Sequence, residues 1–349
     1  MHLNSEFPNG QFGDPALYVW EAEPKGPEGA KSALLIDSGD LTRFSVKQLL
    51  KVKSVFLSHC HVDHFFGFDL LLRYHLGTEK TLNIYGPPNT SERVAGKLQG
   101  YTWNLIRDQN LQFTVIDLDP LNRKRQVTQY HARDSFHPSF RMTEDWNPED
   151  PVLDSETLQV RTVVLDHRTP SMAYAVEEKE SVSVDSDVLR RLGFRPGAWL
   201  QDLKSRYLRG DFSKKSIPSE EEFYLEIPLE SGGVSKRAAN EIAAQLLIPK
   251  PRHKIAYATD GAAHTANREA LIRLVRDSDL FYSETCFLQE DSILADETKH
   301  FTARFIANVA QEARVKKLAP FHFSKRYMGR AQEVLSEIAE HYHGEIIHL

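Results

Sequence analysis

Short apolar runs alternate with amphipathic segments along most of the chain. The runs SALLIDSG at 32–39 and KSVFLSH at 53–59 are apolar and then polar, which is typical of buried strands that end at functional residues. The segment FDLLLRYHLG at 68–77 has helical spacing and ends on a glycine that suits a helix C-cap. The last third repeats the alternation from 253 onwards. Strands and helices in alternation predict an α/β fold.

Composition and charge restrict the classes of protein that fit. Hydrophobic residues make up 41% of the 349 residues, enough for a large core, and the net charge of -6 excludes a chain that is basic throughout. The two cysteines, Cys60 and Cys286, do not indicate a disulfide framework, so we expect a reducing compartment. Without a signal-peptide pattern or an apolar run near the ~20 residues that span a bilayer, we expect a cytoplasmic protein that is not bound to a membrane.

One segment departs from the acidic average. Residues 189–215 carry eight basic side chains against two acidic ones. The basic residues are Arg190, Arg191, Arg195, Lys204, Arg206, Arg209, Lys214 and Lys215. Such a segment is either a solvated face or a surface that contacts a phosphate backbone.

The densest chemistry lies in the sequence HCHVDH at 59–64. His59 and His61 are two residues apart, so an extended segment directs both to one side, where they can bind one metal ion. A turn would then direct Asp63 and His64 to a second ion. Cys60 should point away from the ions and pack against the interior.

Three further candidate ligands each follow a predicted strand. His167 follows VRTVVLD, Asp260 follows IAYAT, and His322 follows LAPF. Together with HCHVDH, which fits the HxHxDH signature, they resemble the metallo-β-lactamase superfamily. The resemblance implies an αββα sandwich, in which two mixed sheets pack face to face with helices outside. We expect a single domain over 1–349, with a basic arm at about 178–220.

Several motifs resemble the ribonuclease Z branch of that superfamily, the tRNA 3′-processing endonucleases. HFSKRY at 322–327 is similar to the HxSxRY motif, and KHFTA, which contains His300, is similar to the HST segment. DHRTPSMAYAVEE, YGPPNT and GFRPGAWLQDLK resemble further segments of the branch. The branch's HEAT motif is divergent here, because Ser283 stands where the family has its general-acid histidine, although Glu284 is kept.

The resemblance implies a dinuclear metal site. His59, His61 and His167 would hold one ion, Asp63, His64 and His322 the other, and Asp260 would bridge them. The ions would be Zn²⁺, with Mn²⁺ and Fe²⁺ as alternatives. Glu284 and Ser58 are candidates for fixing the histidine tautomers.

The reaction implied is hydrolysis of a phosphodiester, the 3′ trailer of a tRNA precursor, by a metal-bound hydroxide. The expected catalytic residues are Asp63, His300 and Glu284, with His264 or a metal-bound water as alternatives to His300 for protonating the leaving oxygen. Substrate contacts are expected at Arg326, Tyr327, Lys204, Arg206 and Arg209, although a structural salt bridge is the alternative for Arg326. A homodimer is expected from the resemblance alone.

Two other functions fit the same residues. One is a hydrolase of this fold that acts on a small or cyclic-nucleotide phosphodiester, an ester or a lactone, since the fold does not determine the substrate. The other is a non-catalytic RNA-binding or scaffold protein that keeps its metals for stability.

Overall fold

The structure, a computed structural model, describes residues 3–21, 26–211 and 223–349. The chain divides into two compact units, one of residues 1–178 with 253–349 and one of residues 179–252. The expectation of a single domain with a basic arm stays a prediction.

An eight-stranded sheet forms the first half of the larger unit, and its strands lie in chain order. They are β1 (Leu3–Glu6), β2 (Leu17–Glu21), β3 (Ala33–Ile36), β4 (Val52–Phe56), β5 (Thr81–Gly86), β6 (Gln112–Asp119), β7 (Lys124–His131) and β8 (Pro138–Asp145). Strands β3 to β6 are parallel and the outer pairs are antiparallel, so the sheet is mixed.

A seven-stranded sheet forms the second half of that unit. In chain order its strands are β9 (Leu153–Asp154), β10 (Leu158–Asp166), β11 (Pro170–Glu178), β16 (Lys254–Ala258), β17 (Leu280–Glu284), β18 (Lys317–Phe321) and β19 (Glu345–Ile346). Strands β16 to β19 are parallel, and β10 runs in the same direction because β11 is antiparallel to both β10 and β16. The carboxyl ends of β10, β16, β17 and β18 therefore lie at one edge.

The two sheets pack face to face through a buried apolar layer. Phe56 of the first sheet contacts Tyr174 of the second with ring centroids 5.3 Å apart. The hydroxyl of Tyr174 donates to the carbonyl oxygen of Leu57 at 2.7 Å. Each such side chain stabilises the fold by about 1.5–3 kcal/mol through the apolar area it removes from water.

Helices cover the outer faces through two further apolar layers. On the first sheet lie α1 (Val46–Leu49), α2 (Val62–Phe65), α3 (Phe68–His75) and α4 (Thr90–Gln99). On the second lie α8 (Thr265–Val275), α9 (Ser292–Thr298), α10 (Ala303–Glu312) and α11 (Ala331–His341). The predicted α/β class and αββα sandwich are confirmed.

The smaller unit has its own apolar cluster. It contains α5 (Ser186–Arg191), α6 (Ala198–Arg209) and α7 (Ala239–Leu246). Its strands are β12 (Val182–Val184), β13 (Tyr224–Pro228), β14 (Val234–Ala238) and β15 (Leu247–Pro249), which pair as β12 with β15 and β13 with β14. Among the described residues, no helix of either unit is both long and apolar enough to cross a bilayer.

Candidate metal centre

The HCHVDH segment changes direction at the carboxyl end of β4. His61 is still extended (φ -67°, ψ 159°) and immediately precedes α2, whose first turn contains Asp63 and His64. The extended part thus presents His59 and His61 together, with ring centroids 4.2 Å apart. The helical turn directs Asp63 and His64 to a different position, as the sequence predicts.

Asp260 lies at the centre of the histidines. Its Oδ2 atom lies 3.4 Å from Nε2 of His59 and of His64, and 3.5 Å from Nε2 of His167. Its Oδ1 atom lies 3.7 Å from Nδ1 of His322. The histidines around Asp260 hold its pKa well below the usual range even though burial alone would raise it. An ionised carboxylate in this position can bridge two cations.

Three residues of this region have left-handed backbone conformations. The φ angles are +56° at Asp37, +46° at Asp260 and +58° at His322, and each residue follows a strand. A non-glycine residue in such a conformation costs roughly 1–3 kcal/mol, and this kind of strain is concentrated at functional sites.

The donor atoms fall into groups that match the expected ligand sets. His59, His61, His167 and Asp260 each place one donor atom within 4.8 Å of the others, as do Asp63, His64 and His322. The structure thus brings together all seven residues that the sequence singles out as ligands.

Unpaired buried nitrogens provide a test of whether these residues suit a cation. Nε2 of His59 and Nε2 of His64 have no hydrogen-bond partner in the described part of the chain. A buried polar atom without a partner costs about 1–3 kcal/mol. Burial also lowers the pKa of His59 to about 2, so that ring is neutral and has a lone pair to donate. The site therefore fits divalent metal ions.

Hydrogen bonds on the opposite ring nitrogens fix the tautomers. Nδ1 of His167 donates to the carbonyl oxygen of Lys299 at 2.7 Å, which leaves Nε2 facing Asp260. Nδ1 of His59 lies 3.0 Å from Oγ of Ser58. Such contacts orient metal-binding histidines and raise their basicity.

Asp37, at the end of β3, organises the region beneath the histidines, and it is the functional residue that sequence reasoning did not single out. Its carboxylate accepts from the backbone amide of Ser58 at 2.6 Å and from the Ser58 hydroxyl at 2.8 Å. It also accepts from Nδ1 of His64 at 2.9 Å and from the Tyr257 hydroxyl at 2.6 Å. The available signal was an aspartate directly after the apolar run ALLI.

His300 and Glu284 form a pair beside the same centre. Nδ1 of His300 donates to Oε1 of Glu284 at 2.5 Å. Burial opposes the charged ring, but the Glu284 carboxylate outweighs it and raises the pKa of His300 to about 9. Ser283 is buried, and its hydroxyl donates to the backbone oxygen of Glu284 at 3.1 Å.

The candidate substrate residues near the centre have partners within the fold. Arg326 lies 2.7 Å from a carboxylate oxygen of Asp291, the salt bridge that was its alternative role. Tyr327 is buried, and its hydroxyl donates to Asp291 and accepts from the backbone amide of Leu288 at 3.1 Å. His264 is partly exposed, 3.4 Å from Asp166. Direct contact of Arg326 and Tyr327 with a substrate stays a prediction.

The candidate residues of the basic segment lie on α6 of the smaller unit. Arg206 pairs with Asp202 at 3.0 Å and Arg209 with Asp211 at 3.2 Å, while Lys204 is half-buried. Lys214 and Lys215 lie outside the described residues.

Comparison with known proteins indicates the same class of protein as the fold does. Residues 28–76 match the model of the Metallo-beta-lactamase superfamily. The metallo-beta-lactamase fold protein YhfI from Bacillus subtilis superposes with a TM-score of 0.53 at 14% identity, covering 99% of this chain and 95% of YhfI. The fold is thus that of the metallo-β-lactamases.

Within that class, the chain resembles ribonuclease Z over most of its length. Ribonuclease Z of Deinococcus radiodurans is 28% identical over 320 residues, which cover 90% of this chain and 88% of that protein. Ribonuclease Z of Methanosarcina acetivorans is 27% identical over 312 residues, which cover 87% and 82%. The resemblance to ribonuclease Z and the expected enzyme class, a metal-dependent hydrolase, are therefore confirmed. The divergent HEAT motif at Ser283 stays a prediction.

Proposed function

We propose that this protein is a dinuclear metal-dependent phosphodiesterase that removes the 3′ trailer from tRNA precursors. The observation that carries the proposal is the position of Asp260, with the nitrogens of four candidate ligand histidines within 3.7 Å of its two carboxylate oxygens. The relatives named Ribonuclease Z support RNA as the substrate.

His59, His61 and His167 would hold one ion, Asp63, His64 and His322 the other, and Asp260 would bridge them. Zn²⁺ suits this set of imidazole and carboxylate ligands, and Mn²⁺ or Fe²⁺ are alternatives. When bound, the two ions would supply Lewis acidity and lower the pKa of a water molecule held between them.

Asp63 is the residue best placed to orient the attacking water. Its Oδ2 atom lies 3.2 Å from Nε2 of His322 and 3.4 Å from Nε2 of His64. Burial would raise the pKa of Asp63, but the hydrogen bond from His322 and the nearby ring of His64 lower it well below its usual value. The side chain is 36% exposed, so this ionised carboxylate remains accessible to water and can orient it by accepting a hydrogen bond.

His300 is the residue best placed to protonate the leaving 3′ oxygen. Glu284 holds its Nδ1 and favours the protonated ring at neutral pH, and the side chain is 18% exposed. A protonated imidazole can give up a proton from Nε2 while Nδ1 keeps its contact with Glu284. His300 would thus fill the role of the histidine that is absent at Ser283.

Lys204, Arg206 and Arg209 of the smaller unit would contact the phosphate backbone of the RNA. The cytoplasmic location and the homodimer stay predictions from the cysteine content and the resemblance.

A cleavage assay with two substrates tests the proposal. The metal-loaded protein is given a tRNA precursor with a 3′ trailer and, separately, bis(p-nitrophenyl) phosphate. We expect cleavage at the end of the acceptor stem. Both activities should be lost in Asp63→Ala and retained in the control Asp40→Asn, which changes a residue in the loop between β3 and α1. Hydrolysis of only the small diester would contradict the RNA substrate and favour a small or cyclic phosphodiester. No hydrolysis of either would favour the binding-protein alternative.

A further inference from the structure

A third group of donor atoms, which contains a thiol, lies beside the proposed dinuclear centre. One donor atom each of Glu284, Cys286, His300 and His322 lies within 4.8 Å of the others. Glu284 ends β17, and Cys286 follows two residues later, so the strand end delivers both side chains. Both are buried, whereas His300 and His322 are each 18% exposed at the side chain.

The spacing of these atoms suits a tetrahedral ion after a small contraction. Donor atoms on one zinc ion, at bond lengths of 2.0–2.3 Å, lie about 3.3–3.8 Å from each other. Oε1 of Glu284 already lies 3.9 Å from Nδ1 of His322. The 2.5 Å hydrogen bond between His300 and Glu284 would open to admit the ion.

Two polar atoms of these side chains are unsatisfied. Oε2 of Glu284, on a side chain that is 0% exposed, has no hydrogen-bond partner among the described residues. Nδ1 of His322 also has no hydrogen-bond partner within the described part of the chain. Because an unpaired carboxylate oxygen is costly to bury, a cation beside it would offset that cost.

We propose that Glu284, Cys286 and His300, with Nδ1 of His322, form a separate binding site for a soft divalent cation such as Zn²⁺ or Cd²⁺. The seven ligands of the dinuclear centre are imidazoles and carboxylates, whereas this site adds sulfur, which favours softer ions over Mn²⁺. On binding, the S–H bond of Cys286 breaks and a sulfur–metal bond forms, Nδ1 of His300 gives up the proton that it donates to Glu284, and both protons leave to solvent.

Occupation of this site would inhibit the proposed hydrolysis. Nε2 of His322 lies 3.2 Å from Asp63, while its Nδ1 faces Glu284. A neutral imidazole has one lone pair, so His322 can serve either the dinuclear centre or the thiol site. The thiol site would also use His300 and Glu284 as ligands. This inhibition rests on the proposed function, whereas the binding itself does not.

Cadmium titration of the full-length protein tests the binding. The protein is first loaded with two equivalents of Zn²⁺, and Cd²⁺ is then added while the thiolate-to-cadmium charge-transfer absorption is recorded. We expect a band that saturates at one thiolate per chain, is lost in Cys286→Ser and is retained in Cys60→Ser. These variants are matched because the chain has two cysteines. A band that persists in Cys286→Ser and is lost in Cys60→Ser would overturn the proposal.

Cadmium NMR of the Cys60→Ser protein provides a test that does not depend on the folding of a Cys286 variant. We expect one resonance at the downfield shift of a thiolate-bound ion. Resonances confined to the range of nitrogen and oxygen ligands would overturn the site.

For the inhibition, we expect Cys286→Ser to need at least tenfold more Cd²⁺ to lose half of its activity. Unaltered hydrolysis in a protein that shows the band would refute the inhibition and leave the proposed function intact.

Discussion

Oδ2 of Asp37 lies 2.9 Å from Nδ1 of His64, and this contact turns Nε2 of the same ring to within 3.4 Å of both Asp63 and Asp260. A buried carboxylate at the end of one strand thus orients a candidate metal ligand in the helical turn that follows the next strand. Because Asp37 also accepts from Ser58 and Tyr257, one side chain supports groups from both sheets.

Replacement of Asp37 should weaken metal binding while leaving every candidate ligand in place. In Asp37→Asn the amide can no longer satisfy all the donors around it, so the His64 ring loses its fixed orientation. We expect roughly 10–100-fold weaker metal affinity, measured by competition with a chelator. The control is Asp40→Asn. The carboxylate of Asp40 accepts hydrogen bonds from the backbone amide and the hydroxyl of Thr42. Equal affinity in the two variants would show that Asp37 does not orient His64.

Gly67, which lies just after α2, should be required for the close packing of the chain around it. A Cβ atom there would lie 2.4 Å from the carbonyl oxygen of Gly39 and 2.6 Å from Cγ of Leu41. Gly67→Ala should lower the free energy of unfolding by about 1–3 kcal/mol through this overlap. The measurement is urea unfolding of the metal-free protein.

Gly96→Ala is the matched control for that experiment. Gly96 lies on α4, and among the described residues a Cβ there would meet no atom within 4 Å. We expect this helical substitution to raise stability by about 0.5–1 kcal/mol. Destabilisation of the same size in both variants would exclude a specific overlap at Gly67.

His75 should make the fold less stable in mild acid. Its Nε2 donates to the carbonyl oxygen of Leu49 at 3.1 Å, and Nδ1 has no partner among the described residues. Burial lowers the pKa of His75 from 6.5 to about 4. Between those values the unfolded chain takes up a proton that the folded chain does not, so the free energy of unfolding falls as the pH falls.

The His75 contribution should amount to roughly 3 kcal/mol, present in full above pH 6.5 and lost by about pH 4. We expect His75→Gln, measured by urea unfolding of the metal-free protein across that range, to show a smaller pH slope. His343→Gln, at an exposed histidine, should keep the slope of the original protein. Identical slopes in all three proteins would contradict a neutral buried His75.

The cations of α6 should contribute to RNA binding and not to the chemical step. Neutralising Lys204, Arg206 and Arg209 with glutamine should raise KM for a tRNA precursor and reduce its dependence on salt, because fewer counterions are released on binding. Hydrolysis of bis(p-nitrophenyl) phosphate should be unchanged. The control removes the same charge from the larger unit, at the exposed ion-paired residues Lys47, Lys124 and Arg314. A similar rise in KM in the control would indicate a general charge effect.

The parts of the fold that the sequence predicts are those with a regular apolar pattern. Strand β3 and helix α3 lie within their predicted segments, and β4, β16 and β18 each begin one residue before theirs, since each of these elements buries one face or both. The hairpin of β7 and β8 has no such signal, because nearly every residue of β8 is exposed. Strand β8 is held by pairing with β7 and not by burial, whereas β7 also pairs with β6 and buries Tyr130.

The candidate site likewise contains residues whose role the sequence predicts and residues whose role it does not. The seven ligand residues could be selected because their residue types, their order and the HxHxDH signature resemble those of a known superfamily. The strand-end position of Asp37 was visible too, but its role was not, since that role depends on contacts with His64 and with Tyr257, which is 220 residues away in the chain. The thiol site likewise depends on Cys286 and His300 meeting in space, which no local pattern indicates.

The most direct test of the central proposal is cleavage of a tRNA precursor as a function of metal content. The protein is stripped with a chelator, and Zn²⁺ is returned in fractions of an equivalent while cleavage and bound metal are measured together. We predict that cleavage rises until two ions are bound per chain and that Asp260→Asn does not reach this state. Full cleavage with one ion bound, or cleavage by the stripped protein, would contradict a dinuclear centre bridged by Asp260.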